Sequence, residues 1–142
     1  MPILEGKVAI ITGAGRGLGR EDALALAAHG ARVIVNDIGT SVHGEGSDQS
    51  PAATVVKEIK GAGGEAMTSY EDIANWDGAR RTIALAYDTF GKLDILVNNA
   101  GVLRDRMSFN MSEEEFDLVL HVHCKGHFAM TRHACVRWRE AA

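Results

Sequence analysis

The sequence has 142 residues, 46% of them hydrophobic and 24% charged, with a formal net charge of −4. These values predict one domain over residues 1–142 with a sizeable core, and they exclude the strongly basic balance of a nucleic-acid-binding protein. Because no apolar run approaches the roughly 18 residues of a membrane span and no signal peptide is recognisable, we expect a cytoplasmic protein without membrane contact. Its expected partners are small molecules or protein subunits.

The first predicted strand covers about Lys7 to Thr12, and a glycine-rich turn connects it to a helix from about Arg16 to His29. A strand, turn and helix in this order can bind a pyrophosphate. Glycines let the ligand approach the backbone, and the helix N-terminus supplies free N–H donors. The alternative is a glycine-rich turn that binds no ligand.

The spacing of the glycines separates several kinds of nucleotide-binding turn. The general G-x-G-x-x-G pattern fails because its sixth place, counted from Gly13, is Leu18, and the phosphate loop G-x-x-x-x-G-K-[ST] fails as well. What fits is Thr-Gly-x-x-x-Gly-x-Gly, which runs from Thr12 to Gly19. This pattern resembles the short-chain dehydrogenase/reductase family, whose members have a Rossmann-like fold and use NAD or NADP.

The second predicted strand runs from Arg32 to Asn36 and is followed by Asp37. Asp37 is placed to accept hydrogen bonds from an adenosine ribose; the alternative is a cap or turn residue. A carboxylate there repels a 2′-phosphate and favours NAD over NADP. Arg16 argues the other way, because by the resemblance a basic residue at its place often accompanies NADP. We predict NAD as the cofactor, with NADP less favoured.

Residues 38–50 form a polar, glycine- and serine-rich loop that either covers the adenosine or is mobile. The dipeptide Ser50-Pro51 predicts the N-cap and the first position of a second helix. After a third strand, Glu65 to Ser69, the resemblance gives Asp72 the role of the acidic residue that contacts the adenine amino group, with Ile73 beside it. Without the resemblance, Asp72 reads as a helix cap.

A second motif, Asn98-Asn99-Ala100-Gly101, follows the fourth predicted strand, Asp94 to Val97. Its small residues leave room for a ring system close to the main chain. Right-handed crossovers predict an α/β fold with a doubly wound parallel sheet in the order 3-2-1-4, truncated before the later strands of the family. The two motifs then face each other across a crevice. The predicted cofactor-binding residues are Gly13, Gly15, Arg16, Gly17, Leu18, Gly19, Asp37, Asp72, Ile73, Asn99, Ala100 and Gly101.

The pair Ser112 and Glu115 predicts a capping box at the start of a long helix, straight or bent, that reaches about Trp138. Cys124 and Cys135 lie eleven positions apart in it. They are therefore too distant to bridge and are expected on one helix face as small buried or half-buried residues. The helix also carries four histidines without a metal-binding pattern such as H-E-x-x-H, so no metal site is predicted.

His123 stands where the family usually has an Asn. Together with Asn36-Asp37 and the loop Leu103-Arg104-Asp105-Arg106, it makes the chain most similar to the (3R)-hydroxyacyl-CoA dehydrogenase part of peroxisomal multifunctional enzymes and their bacterial relatives. His123 is the candidate catalytic residue, and it either takes part in a proton relay or holds a helix bend through a backbone hydrogen bond. Arg104 and Arg106 either meet an acyl-CoA phosphate or pair with Asp105.

By the resemblance, catalysis uses a Ser, a Tyr and a Lys four residues after the Tyr. Tyr70 is followed at that distance by Ala74, and Tyr87 by Gly91, so the three residues are expected beyond this chain. The resemblance implies an NAD-dependent oxidoreductase that interconverts a secondary alcohol, for example a 3-hydroxyacyl-CoA, and a ketone, and that is a homo-oligomer when full length. This chain alone is then inactive. The alternative is a non-catalytic nucleotide-binding module that associates with full-length subunits.

Overall fold

The computed structural model describes residues 2–41, 46 and 48–142 as an alternation of strands and helices. In chain order, the elements are β1 (Val8–Thr12), α1 (Gly17–Ala28), β2 (Arg32–Asn36), α2 (Ser50–Gly61), β3 (Ala66–Ser69), α3 (Trp76–Phe90), β4 (Ile95–Val97), a 3-10 turn (Ser108–Asn110), α4 (Glu113–Leu120), a π-helical turn (His121–Gly126) and α5 (His127–Ala141). The four strands begin and end within one residue of their predicted bounds.

All four strands are parallel, in the order β3-β2-β1-β4. This confirms the predicted Rossmann-like sheet. Alternate side chains of β1 face opposite layers of helices. Ala9 and Ile11 pack in the cluster formed with α1 and α2, whereas Val8 and Ile10 pack in the cluster formed with α3 and α5. Burial on both faces explains why β1 is a continuous apolar run.

Several helix ends follow local sequence signals. Asn75 caps α3 by accepting a hydrogen bond from the Gly78 amide, and Gly91 ends that helix with a φ of 83°. The predicted capping box is confirmed, because the Ser112 side chain accepts from the Glu115 amide and the Glu115 side chain accepts from the Ser112 amide. The prediction for α2 was off by one residue. The N-cap position is Gln49, and Asp48 is the residue whose carboxylate accepts from the Ser50 amide at 2.9 Å.

The long C-terminal helix is interrupted by the π-helical turn between α4 and α5. This turn changes the helical phase, so a spacing of eleven residues no longer measures three regular turns. The prediction that Cys124 and Cys135 are buried or half-buried was wrong, because both are exposed free thiols. The side chains of α5 that enter the core are instead Ala129, Met130, His133 and Ala134.

The connection between β2 and α2 is described only in part. Its residues 42–45 and 47 lie outside the described residues, so the question of whether this loop covers an adenosine concerns residues that the structure does not describe. Within the described ranges, none of the helices combines the length and the apolar character needed to cross a lipid bilayer.

Candidate cofactor-binding site

The turn between β1 and α1 leaves the first amides of α1 open to a ligand. Gly13 and Gly17 have φ values of 63° and 57°, which favour glycine and give the turn its shape. Arg16 occupies the N-cap position in an extended conformation and makes no side-chain capping bond there, and the first turn of α1 carries no acidic residue. The N–H groups and the positive end of the helix dipole are therefore available to an anion.

A set of hydrogen bonds joins the glycine turn to the second motif. The Thr12 hydroxyl oxygen accepts from the amides of Asn99 and Ala100, each at 3.0 Å. In return, the Asn99 side-chain amide donates to the carbonyls of Thr12 and Gly13, both at 3.1 Å. Thr12 is fully buried. The ends of β1 and β4 are thus fixed to each other at the carboxyl edge of the sheet.

Two glycines allow this close approach. A Cβ on Gly13 would lie 2.8 Å from the Ala100 Cα, which real Cβ atoms essentially never do. A Cβ on Gly19 would collide with the Asn99 side-chain nitrogen and would lie 2.5 Å from the Gly13 carbonyl oxygen. The missing side chains of these two glycines therefore allow the two motifs to touch. Gly17 has open space around it, so glycine is favoured there by its positive φ and not by lack of room.

Asp37 lies at the end of β2 with both carboxylate oxygens bound to backbone amides. One oxygen accepts from Gly15 at 2.9 Å and the other from Gly39 at 2.7 Å. A Cβ on Gly15 would lie 2.7 Å from the Asp37 oxygen, so the missing side chain makes room for the carboxylate. Since a carboxylate oxygen has two lone pairs, these bonds orient Asp37 and leave acceptor capacity for a further donor.

The two motifs and Asp37 border one open crevice of about 270 Å³. Nine predicted residues line it: Gly13, Arg16, Gly17, Asp37, Asp72, Ile73, Asn99, Ala100 and Gly101. Gly15, Leu18 and Gly19 do not line it. Leu18 is 78% exposed. The lining residues that were not predicted are Asn36, Ile38, Thr40, Ser41, Val102 and Val122. Most of these directly neighbour a predicted residue in sequence, and that adjacency was the available signal.

Asp72 reaches the crevice from the segment after β3. One of its carboxylate oxygens accepts from the Ala74 amide at 2.9 Å, so the residue shapes the approach to α3 without being its N-cap. The buried Asn36 side chain holds the start of the same segment by donating to the Ser69 hydroxyl at 3.1 Å and to the Glu71 carbonyl at 3.0 Å. The other carboxylate oxygen of Asp72 accepts no hydrogen bond within the described part of the chain.

Arg16 lines the crevice and forms an ion pair with Asp48, with 3.9 Å between guanidinium nitrogen and carboxylate oxygen. Both side chains are a little over half exposed. Hydrogen bonds from Ser50, and then the charge of Arg16, hold the pKa of the Asp48 carboxyl below its ordinary value, so Asp48 carries its negative charge near neutral pH. The guanidinium of Arg16 therefore has an anionic partner from the chain itself.

His123 does not line the crevice, but it contacts the backbone behind it. Its Nε2 lies 2.9 Å from the carbonyl oxygen and 3.1 Å from the amide nitrogen of Val102. The neighbouring His127 places its Nε2 2.8 Å from the Ala100 carbonyl oxygen. His123 therefore connects the π-helical turn to the loop after β4. Among the described side chains, no cluster of three or more His, Cys, Asp or Glu is arranged to hold a metal ion.

The basic loop after the second motif is exposed. Arg106 pairs with Glu115 at 3.1 Å, and not with Asp105 as the second interpretation of the sequence had it. Arg104 donates to the carbonyl oxygen of its own neighbour, Leu103, at 2.7 Å.

The chain is similar to known proteins in sequence and in fold. Residues 7–141 match the family model described as short chain dehydrogenase. The chain is 51% identical over 130 residues to the peroxisomal multifunctional enzyme type 2 of Drosophila melanogaster, with 92% of this chain and 21% of the relative covered. It is 47% identical over 143 residues to the hydroxyacyl-CoA dehydrogenase ChsB1 of Mycobacterium tuberculosis, with 98% of this chain and 42% of the relative covered.

A solved structure has the same fold over nearly the whole chain. The crystal structure of a short chain dehydrogenase from Mycobacterium avium matches with a TM-score of 0.90 and 56% identity, covering 97% of this chain and 48% of that one. The chain thus spans half or less of the length of each of these relatives.

Proposed function

Because this chain belongs to the short chain dehydrogenase family, we propose that its crevice binds NAD for an oxidoreductase that interconverts a secondary alcohol and a ketone. The observation that carries the proposal is the junction of Thr12 with Asn99. It joins the glycine-rich turn and a wall of small residues on the two sides of one crevice, with Asp37 at its edge.

The donors and acceptors of the crevice fit a dinucleotide. The uncapped N-terminus of α1, behind Gly13 and Gly17, offers amide donors and a positive dipole to a pyrophosphate. Asp37 offers acceptor capacity to the hydroxyls of an adenosine ribose, and Asp72 offers an oxygen to an adenine amino group.

Two acidic residues support NAD as the preferred cofactor. Asp37 would lie against the ribose, where its charge repels a 2′-phosphate. Asp48 pairs with Arg16, which among the described residues of the crevice lining is the basic one that would attract that phosphate. The preference for NAD thus rests on a repelling carboxylate and on a guanidinium that is already partly neutralised.

The proposed substrate class comes from the name of a similar protein. Since one relative is named as a hydroxyacyl-CoA dehydrogenase, we propose a 3-hydroxyacyl-CoA type of substrate, with Arg104 and Arg106 near enough to the crevice wall in sequence to meet a phosphate of CoA. A bound nicotinamide would supply the hydride chemistry that connects the alcohol and the ketone. This chain binds and orients the reactants. Proton transfer requires the family's Tyr and Lys, and the 142 residues contain no Tyr-x-x-x-Lys.

The second candidate is a nucleotide-binding module without turnover. Both candidates predict NADH binding by the chain, and they differ in whether a form of the protein that contains Tyr-x-x-x-Lys exists and reduces a ketone. A downstream segment without Tyr-x-x-x-Lys would leave only the second candidate.

Titration of the chain with NADH and NADPH by calorimetry tests the binding proposal. We expect NADH to bind more tightly than NADPH, and Asp37→Ala and Asp37→Asn to reduce that preference because each removes the repelling charge. Asp88→Asn, which removes an equal charge from an exposed position on α3, is the matched control and should change neither affinity. If no nicotinamide or adenosine nucleotide binds, both candidates fail.

Oligomer formation by the full-length protein stays a prediction, as does the cytoplasmic location. The relatives include proteins named as peroxisomal as well as mycobacterial ones.

A further inference from the structure

Two histidines bind the backbone of the wall that closes the crevice on the β4 side. His127 places its Nε2 2.8 Å from the Ala100 carbonyl, and His123 places its Nε2 within 3.1 Å of both backbone polar atoms of Val102. Their ring centroids are 5.9 Å apart. Two consecutive turns of one helical segment thus contact the same three-residue stretch, Ala100 to Val102.

The partners determine what each ring does. A carbonyl oxygen only accepts hydrogen bonds, so His127 carries a proton on Nε2 and donates it to Ala100. The Nε2 of His123 donates to the Val102 carbonyl in the tautomer that has its hydrogen on Nε2. In the other tautomer, with the hydrogen on Nδ1, it accepts from the Val102 amide. The hydrogen bond of His127 therefore has one direction, from the ring to the Ala100 carbonyl, whereas that of His123 has two possible directions.

The stretch Ala100 to Val102 depends on these rings for its position. The Ala100 amide is bound to Thr12, but the residues that follow have no regular structure until the 3-10 turn at Ser108. Gly101 packs directly on the imidazole of His123, and a Cβ there would lie 2.6 Å from Cε1. The histidines thus fix the half of this wall that Thr12 does not reach.

The π-helical turn, His121–Gly126, carries His123 and directly precedes His127. Its last residue, Gly126, packs so closely on Ile73 that a Cβ would collide with the Ile73 side chain. Ile73 is itself part of the crevice lining. The irregular turn therefore lies against the crevice at two points, and π-helical turns occur often at functional sites.

We propose that His127, together with His123, is a positioning residue for the nicotinamide half of the cofactor. This inference rests on the proposed function, in which the adenosine half lies at Asp37. Asp37 follows β2 and Ala100 follows β4, with β1 between them, so the two positions are separated by two strand spacings, about 10 Å. A ligand that spans the crevice from Asp37 thus brings its far half against the wall that the histidines hold.

The test compares NADH with ADP-ribose, which lacks the nicotinamide ring. His127→Leu removes the donor to Ala100 at similar volume, and we expect it to weaken NADH about fivefold to tenfold, the usual effect of losing one hydrogen bond, while ADP-ribose affinity stays unchanged. His127→Gln should restore most of the NADH affinity, because its amide nitrogen can occupy the place of Nε2. His121→Leu, at an exposed position on the same turn, is the control.

The affinities for NADH and ADP-ribose distinguish a failure of this inference from a failure of the proposed function. Equal losses for NADH and ADP-ribose in His127→Leu, or no loss for either, overturn the inference, because the ring then has a merely structural role or none. If His127→Leu does not fold, His127→Asn takes its place; its shorter amide keeps the polarity but does not reach Ala100, so the same losses are expected. Failure of the wild-type chain to bind either probe contradicts the proposed function itself.

Discussion

Thr12→Val separates the hydrogen bonds of Thr12 from its packing. Valine has nearly the same shape and the same β-branching, so the strand and the volume are retained while the hydroxyl is lost. The amides of Asn99 and Ala100 then lose their acceptor. An unsatisfied buried donor costs about 1–3 kcal/mol, and because both of these amides are only partly buried, we expect a total of about 2–3 kcal/mol.

Thr12→Ser gives the complementary measurement. It keeps the acceptor and removes one buried methyl group, for which we expect a loss of about 1 kcal/mol. Thr54→Val, at an exposed position on α2, makes the same chemical change away from the site and should stay within about 0.5 kcal/mol of wild type. The expected order of stability is therefore Thr54→Val, then Thr12→Ser, then Thr12→Val.

Urea unfolding followed by circular dichroism, at one protein concentration and with equal m-values, measures these differences. A Thr12→Val protein as stable as Thr12→Ser would refute the reasoning, because the hydroxyl would then contribute nothing to the junction of the two motifs. A changed m-value would mean that the variant alters the compactness of one state, and the comparison would then be made from thermal midpoints.

Three further predictions concern cofactor choice, pH and the glycines. Asp48→Asn frees Arg16 and should tighten NADPH binding about twofold to fivefold, as expected for an exposed ion pair, and this gain should vanish in an Arg16→Ala background, measured by calorimetry. Burial, and then the charge of its neighbouring arginine, lower the pKa of His133, so its contribution to stability is complete above its ordinary pKa of about 6.5 and is lost as the pH falls through the lower folded-state pKa. His133→Leu should therefore flatten the decline of unfolding free energy below pH 6.5, by at most about 1.4 kcal/mol per pH unit; an unchanged slope would contradict this. Gly19→Ala should abolish NADH binding because its Cβ meets the Asn99 side chain, whereas Gly61→Ala, with open space around it at the end of α2, should leave binding intact.

The glycine turn and the elements near it could be predicted from the sequence because their signals are local. A continuous apolar run marks a strand buried on both faces, and glycines mark the ends of α1 and α3, where positive φ values are found. The capping box of α4 is equally local, since its two members are three residues apart. The order of the four strands followed from the handedness of the crossovers.

The failures have a common physical cause, which is that they depend on contacts between distant segments. Cys124 and Cys135 are exposed, and a π-helical turn interrupts the regular helix phase on which the prediction for them depended. No periodicity in the sequence marks that turn. It is associated with the contacts of His123 and His127 to a loop 21 to 27 residues earlier in the chain.

The sequence by itself determined the order of elements, the glycines that bend the backbone and the family pattern, because each depends on residues close together along the chain. Only the tertiary structure decided how the crevice is held together. Thr12 and Asn99 are 87 residues apart and meet because β1 and β4 are neighbours in the sheet. The side chains that hold the far wall, above all His127, become recognisable only once that sheet has brought the loop after β4 against the helices.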